Sequence, residues 1–212
     1  YHQLKKVIIS QGKELTDNKE IGECLEKICL QKNKRNSFKV YQCPVIKVPM
    51  VFGFRNPSIL LPEEVGLDNQ QLYFILYHEM MHHFNHDLYI QMIIELLSIL
   101  YWWNPACRVL KKQIHILLEM RVDDEVINQN PEETSAYLEC LLYLVKNYSK
   151  NISLPEHMMG FINDNSTLIK RFEMLTDSKA GRKKRLPGAG IIVFSIIVYM
   201  SSYLLIFEAN YC

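Results

Sequence analysis

The chain has 212 residues, 49% hydrophobic and 22% charged, with a formal net charge of +1. This is a globular balance, with apolar material for one sizeable core plus an appendage, and no broad basic face that would suggest direct nucleic-acid binding. The six cysteines form no C-x-x-C pair, which argues against a disulfide framework or a thiolate metal site.

The chain begins at Tyr1 with neither an initiator Met nor an apolar leader, so it reads as a fragment or a processed form. Residues 17–33 are expected to be helical: Asp17 with Glu20 offers a capping box, and Ile21, Leu25 and Ile28 share a face. Over residues 38–61 the pattern turns extended, with Val40, Val45, Val48, Val51 and Phe52 punctuated by Pro44, Pro49, Gly53 and Pro57. Prolines inside strands favour a sheet edge, and an edge strand can pair with an extended peptide.

Asp68 and Gln71 form a second capping box, opening a helix near Asn69. Apolar spacing continues to Trp103, which gives either one helix of about 50 Å or a bent pair. Asn104-Pro105 ends it, with Asn104 capping the next helix and Pro105 at its first position. That helix is expected to reach about Asn128, and two more are expected at residues 135–148 and 166–175. The fold class is mainly α with a small β region (α+β).

Residues 189–207 form an uncharged apolar run of 19 residues. As a helix it spans about 28 Å, roughly one bilayer core. Lys179, Arg182, Lys183, Lys184 and Arg185 precede it, and Glu208 is the only charge after it. By the positive-inside rule the preceding residues are cytoplasmic and Cys212 lies outside; the basic cluster can also hold anionic lipid. A buried core helix is the alternative reading. The expected organisation is a cytoplasmic domain over residues 1–185, a transmembrane helix over 186–208, and an extracytoplasmic end over 209–212. The Asn-x-Ser/Thr triplets at Asn147, Asn151 and Asn165 then fall in the cytosol and read as chance. Residues 88–103, rich in Ile, Leu and Met and ending in Tyr101-Trp102-Trp103, suit either a membrane-interface helix or a core helix.

The chemistry is concentrated in His78-Glu79-Met80-Met81-His82. In a helix, residues four apart share a face. The two imidazoles can therefore hold one zinc ion, with Glu79 beside them to take a proton from a bound water. A catalytic zinc needs a third protein ligand and an open position, and three candidates compete. On one continuous helix His86 lies about 12 Å from His78 along the axis, and His83 points about 100° away from His82. Glu119 is favoured: it follows on the next helix, and Asp123, one turn further, can accept the free ring N–H of a ligand histidine. An exposed acidic helix end, continuing through Asp124 and Glu125, is the competing reading of these residues.

Taken in order, Phe52-Gly53, Pro57 to Pro62, His78-Glu79-x-x-His82, Asp87, Trp102-Trp103-Asn104-Pro105, Glu119-x-x-x-Asp123-Asp124 and the segment from Arg171 closely resemble the integral-membrane zinc peptidases of the BlaR/MecR sensor-transducer family. The resemblance covers nearly the whole chain. It implies a zincin-like (gluzincin) metallopeptidase domain, with His78, His82 and Glu119 on Zn2+, Glu79 as general base, and Asp123 hydrogen-bonded to a ligand. It also implies a bacterial, membrane-held regulator that cuts a cytoplasmic protein, a transcriptional repressor or its own chain. Val122 stands where family members often carry Cys. The alternatives are a non-proteolytic membrane scaffold stabilised by zinc and a housekeeping membrane protease.

Overall fold

The computed structural model describes residues 12–46, 48–63 and 67–148. Among these it holds five α-helices and one four-stranded sheet, so the mainly helical α+β class holds for this region.

The chain enters through a two-residue strand, β1 (Lys13–Glu14), that the hydrophobic pattern did not announce. Helix α1 (Lys19–Gln31) is capped by Asn18, whose side chain accepts the Glu20 backbone N–H. The expected Asp17 and Glu20 capping box is corrected by one residue. Asn18 sits in extended backbone, and its side chain reaches the helix's free N–H groups directly. Ile21, Leu25, Ile28 and Cys29 are buried, whereas Glu23, Glu26 and Lys27 face outward. This is the ordinary division of an amphipathic helix.

The extended region becomes β2 (Lys39–Cys43), β3 (Met50–Phe52) and β4 (Ser58–Pro62). The sheet order is β1-β2-β4-β3, with β2 and β4 parallel and both outer pairs antiparallel. β3, the strand that follows Pro49, is therefore at an edge. Gly53 ends it with φ of 101°. A Cβ there would lie 2.6 Å from the Asn56 carbonyl oxygen, so only glycine fits the turn.

Helix α2 (Asn69–Phe84) opens with the expected capping box of Asp68 and Gln71. Ten successive residues from Tyr73 to His82 are buried, which makes α2 the central helix, surrounded on all sides. It packs against α1 and the β3 and β4 strands, and against the three helices that follow. Phe74, Leu76, Tyr77 and Met80 are almost fully buried in one cluster with Leu25, Val40, Ile59 and Val126. Each such side chain contributes about 1.5–3 kcal/mol by leaving water.

The run to Trp103 is a bent pair. Asn85 ends α2, and His86, at φ of 61°, turns the chain into α3 (Asp87–Leu100). Asn104 then caps α4 (Pro105–Gln129), accepting the Ala106 N–H at 2.9 Å with Pro105 in the first turn. A short 3-10 turn, Pro131–Glu133, leads into α5 (Thr134–Tyr148). No helix among the described residues is long and apolar enough to cross a membrane. The helix expected at 166–175, the apolar run 189–207 and the boundaries drawn at 185 and 208 lie outside the described residues.

Candidate metal centre

His78, Glu79 and His82 lie in the interior of α2, each 7–8% exposed. Burying such groups is costly unless they are partnered, so their partners define the site. Because 3.6 residues make one turn, His78 and His82 fall about 40° apart around the axis, and their rings meet edge to face with centroids 4.8 Å apart.

The two Nε2 atoms are 3.1 Å apart. Glu119, reached from α4, places Oε2 3.4 Å from His78 Nε2 and Oε1 3.5 Å from His82 Nε2. The three side chains form the one group of metal-ligating residues found among the described residues. Tetrahedral ligands at bonds of about 2.0–2.1 Å have edges of about 3.3 Å. The three separations bracket that length, so the donor set fits a small cation such as zinc.

The other nitrogen of each ring is engaged. His82 Nδ1 lies 2.8 Å from Oδ2 of Asp87, which is fully buried. Arg121, from α4, pairs with the other Asp87 oxygen. His78 Nδ1 lies 3.3 Å from Asp123 Oδ1 and 3.2 Å from the Tyr137 hydroxyl. Tyr137 donates its own proton to Asp123 Oδ1 at 2.5 Å. Carboxylates accept only, so this network assigns the ring proton to Nδ1 in both histidines. Both Nε2 lone pairs then face the Glu119 carboxylate, the arrangement of metal-ligating histidines oriented by outer partners.

Glu79 is buried on α2 between the two histidines in sequence and stands outside the three-residue group. His83 packs edge-on against Phe38 at 5.3 Å. Burial, then the neighbouring His86 charge, holds its imidazole below the usual range. His86 lies beyond the end of α2, exposed, with its ring against Tyr89. Neither joins the group. His115 lies one turn before Glu119, and burial followed by the Lys111 charge lowers its pKa.

The sequence assigns no role to Asp87 or Tyr137. Asp87 stood in the motif order, but its reach back to His82 depends on the tight turn at Asn85 and His86. Tyr137 lies 14 residues past Asp123 in another helix, and no spacing rule connects the two.

An H-E-x-x-H helix joined by a glutamate from a later helix is the site of a metallopeptidase-type protein. The chain belongs to the BlaR1 peptidase M56 family, whose model matches residues 1–175. It is 30% identical over 132 residues to the "Regulatory protein BlaR1" of Bacillus licheniformis, covering 60% of this chain and 21% of that protein. It is 28% identical over 157 residues to the "Methicillin resistance mecR1 protein" of Staphylococcus aureus, covering 71% and 27%. To the "Regulatory protein BlaR1" of Staphylococcus aureus it is 25% identical over 191 residues, covering 85% and 32%. The chain thus spans no more than about a third of the length of these relatives.

Proposed function

We propose that this chain is the catalytic part of a membrane-tethered zinc metalloendopeptidase of zincin-like fold, which cuts a cytoplasmic protein during transmembrane signalling. The observation that carries the reading is the convergence of His78, His82 and Glu119 on one point, with the buried Glu79 next to His78 in the same helix. Two imidazoles and one carboxylate suit zinc and leave a coordination position open. A bound zinc ion supplies Lewis acidity to a water molecule and to the scissile carbonyl.

The rest of the chemistry falls to the chain's own side chains. Asp87 and the paired Asp123 and Tyr137 accept the Nδ1 protons and fix both ligand imidazoles in orientation, with Nε2 turned toward the metal position. Glu79 takes a proton as the water oxygen bonds to the carbonyl carbon, and passes it to the amine nitrogen as the C–N bond breaks. The edge strand β3, which packs on α2, supports an extended substrate through backbone hydrogen bonds.

Relatives named as regulatory and resistance proteins support a signalling role, with a transcriptional repressor or the chain itself as substrate and no direct contact with nucleic acid. Residues 189–207 and the basic residues before them support attachment to the cell membrane with the peptidase domain cytoplasmic. The test is to incubate the full chain in membranes with candidate cytoplasmic proteins, with and without a zinc chelator. Defined fragments that vanish with chelator and return with zinc are the expected result. Cleavage unaffected by chelation contradicts the reading.

A further inference from the structure

Helix α3 does not behave as a core helix. Of its 14 residues only Asp87 and Ile94 are buried. At 100° per residue, Tyr89, Met92, Ile93, Leu96, Ile99 and Leu100 fall within about 120° of arc opposite those two. All six are exposed, Ile99 by 67%. The helix runs directly into Tyr101, Trp102 and Trp103, also exposed, the tryptophans by 68% and 60%. One apolar stripe therefore ends in an aromatic cluster.

The charges are arranged to leave this stripe neutral. Glu95 is the only charged residue between Leu88 and Trp103, and it turns toward α4 to pair with Lys111 at 2.6 Å. Helix α1 offers the contrast within the same molecule, exposing Glu23, Glu26 and Lys27. Beside the aromatic turn, α4 exposes Arg108 and Lys112, and Arg108 reaches the Trp102 carbonyl. An apolar face, tryptophans at its end and flanking cations are the attributes of a helix lying in a bilayer interface. Six exposed apolar side chains on one helix face, followed directly by the exposed aromatic turn, mark an interaction site.

We propose that the outward face of α3 and the Tyr101 to Trp103 turn lie in the membrane interface, a contact separate from residues 189–207. Fourteen residues span about 21 Å, short of the roughly 30 Å of a hydrocarbon core, so α3 lies along the surface rather than crossing it. The same chain carries an apolar run long enough for a bilayer at residues 189–207, which brings that surface within reach. Because α3 starts at Asp87, whose carboxylate touches His82, its docking fixes the height of the metal centre above the lipid. The proposal does not depend on whether the site cuts peptides.

Trp102 and Trp103 are the only two tryptophans of the chain, so its tryptophan fluorescence reports this turn alone. The experiment places the full chain in phosphatidylglycerol and phosphatidylcholine vesicles carrying brominated acyl chains, and compares quenching by lipid bromine with quenching by aqueous iodide. At least twofold quenching by the brominated lipid, with little by iodide, is expected. Leu96→Glu combined with Ile99→Glu should reverse that pattern while the protein still sediments with the vesicles. Tryptophans that stay open to iodide in the unaltered chain overturn the proposal. Shielding from both quenchers overturns it as well, because a second copy or residues 189–207 then cover the face.

Discussion

Asp87 Oδ2 lies 2.8 Å from Nδ1 of His82, although Asp87 belongs to the helix after the motif helix. The turn at Asn85 and His86, with His86 in left-handed backbone, brings the carboxylate back. Asp87 therefore orients the His82 imidazole, whose Nε2 stays turned toward Glu119. Replacing Asp87 with alanine should weaken zinc binding about 10–100-fold, as read by competition with a chelator of known affinity. An unchanged affinity would remove Asp87 from the site.

Tyr137 stands between Asp123 and His78. Tyr137→Phe keeps the ring but removes the donor to a fully buried carboxylate. Thermal unfolding of the metal-free protein should show a loss of about 1–3 kcal/mol. Zinc affinity should fall by less than in Asp87→Ala, because Asp123 itself lies 3.3 Å from His78 Nδ1.

The third ligand separates Glu119 from His86. Glu119→Ala should lower zinc affinity by at least a hundredfold, whereas His86→Ala, altered beyond the end of α2, should leave the stoichiometry at one. Metal analysis after gel filtration distinguishes the two. Retention of zinc in the first variant and loss in the second would move the ligand to His86.

Glu125 ties three elements together. It accepts from Lys32 Nζ at 2.6 Å and from Asn85 Nδ2 at 3.0 Å, joining the ends of α1 and α2 to α4. Burial pushes its carboxyl up, but the hydrogen bonds from Lys32 and Asn85 outweigh this, and its pKa lies below 4.5. For Lys32, burial pushes down, while the hydrogen bonds to Glu125 and Tyr77 leave it above 10.5. A depressed carboxyl contributes stability above its unfolded pKa that is lost as pH falls through the folded value. A raised ammonium contributes stability below its unfolded pKa that is lost as pH rises through the folded value. The pair should thus stabilise the protein from above about pH 4.5 to about pH 10.5. Glu125→Gln should cost about 1–2 kcal/mol inside that window, as measured by denaturant titration at several pH values. The cost should decline below the window and vanish once pH has fallen past the lowered pKa of the folded state.

Local signals were legible where one residue's chemistry decides the backbone. Asp68 with Gln71 and Asn104 with Pro105 mark helix starts by satisfying free N–H groups, and both hold. Asp17 and Asn18 are adjacent cap candidates of similar strength, and the sequence alone does not order them. The turn between α2 and α3 stayed open between one helix and a bent pair, because no Pro or Gly marks it; the break lies in the backbone of Asn85 and His86. The parallel pairing of β2 with β4, with β3 placed outside, depends on contacts between distant segments. At the site, four-residue spacing put His78 beside His82, but only tertiary packing shows Asp87 and Tyr137 behind them. The two readings of residues 88–103 could not be separated by periodicity, since a core face and a lipid face are both apolar. Exposure removes the core reading of α3, of which only Asp87 and Ile94 are buried; the lipid contact is the proposal that the fluorescence experiment tests.

The most direct test compares the unaltered chain with Glu79→Gln, measuring bound zinc and cleavage of a protein substrate in the same preparations. Glu79 stands outside the ligand group, so the variant should keep one zinc per chain. Its cleavage should fall by at least about 100-fold, the lower range for loss of a positioned general base. Equal cleavage with zinc still bound would contradict the account.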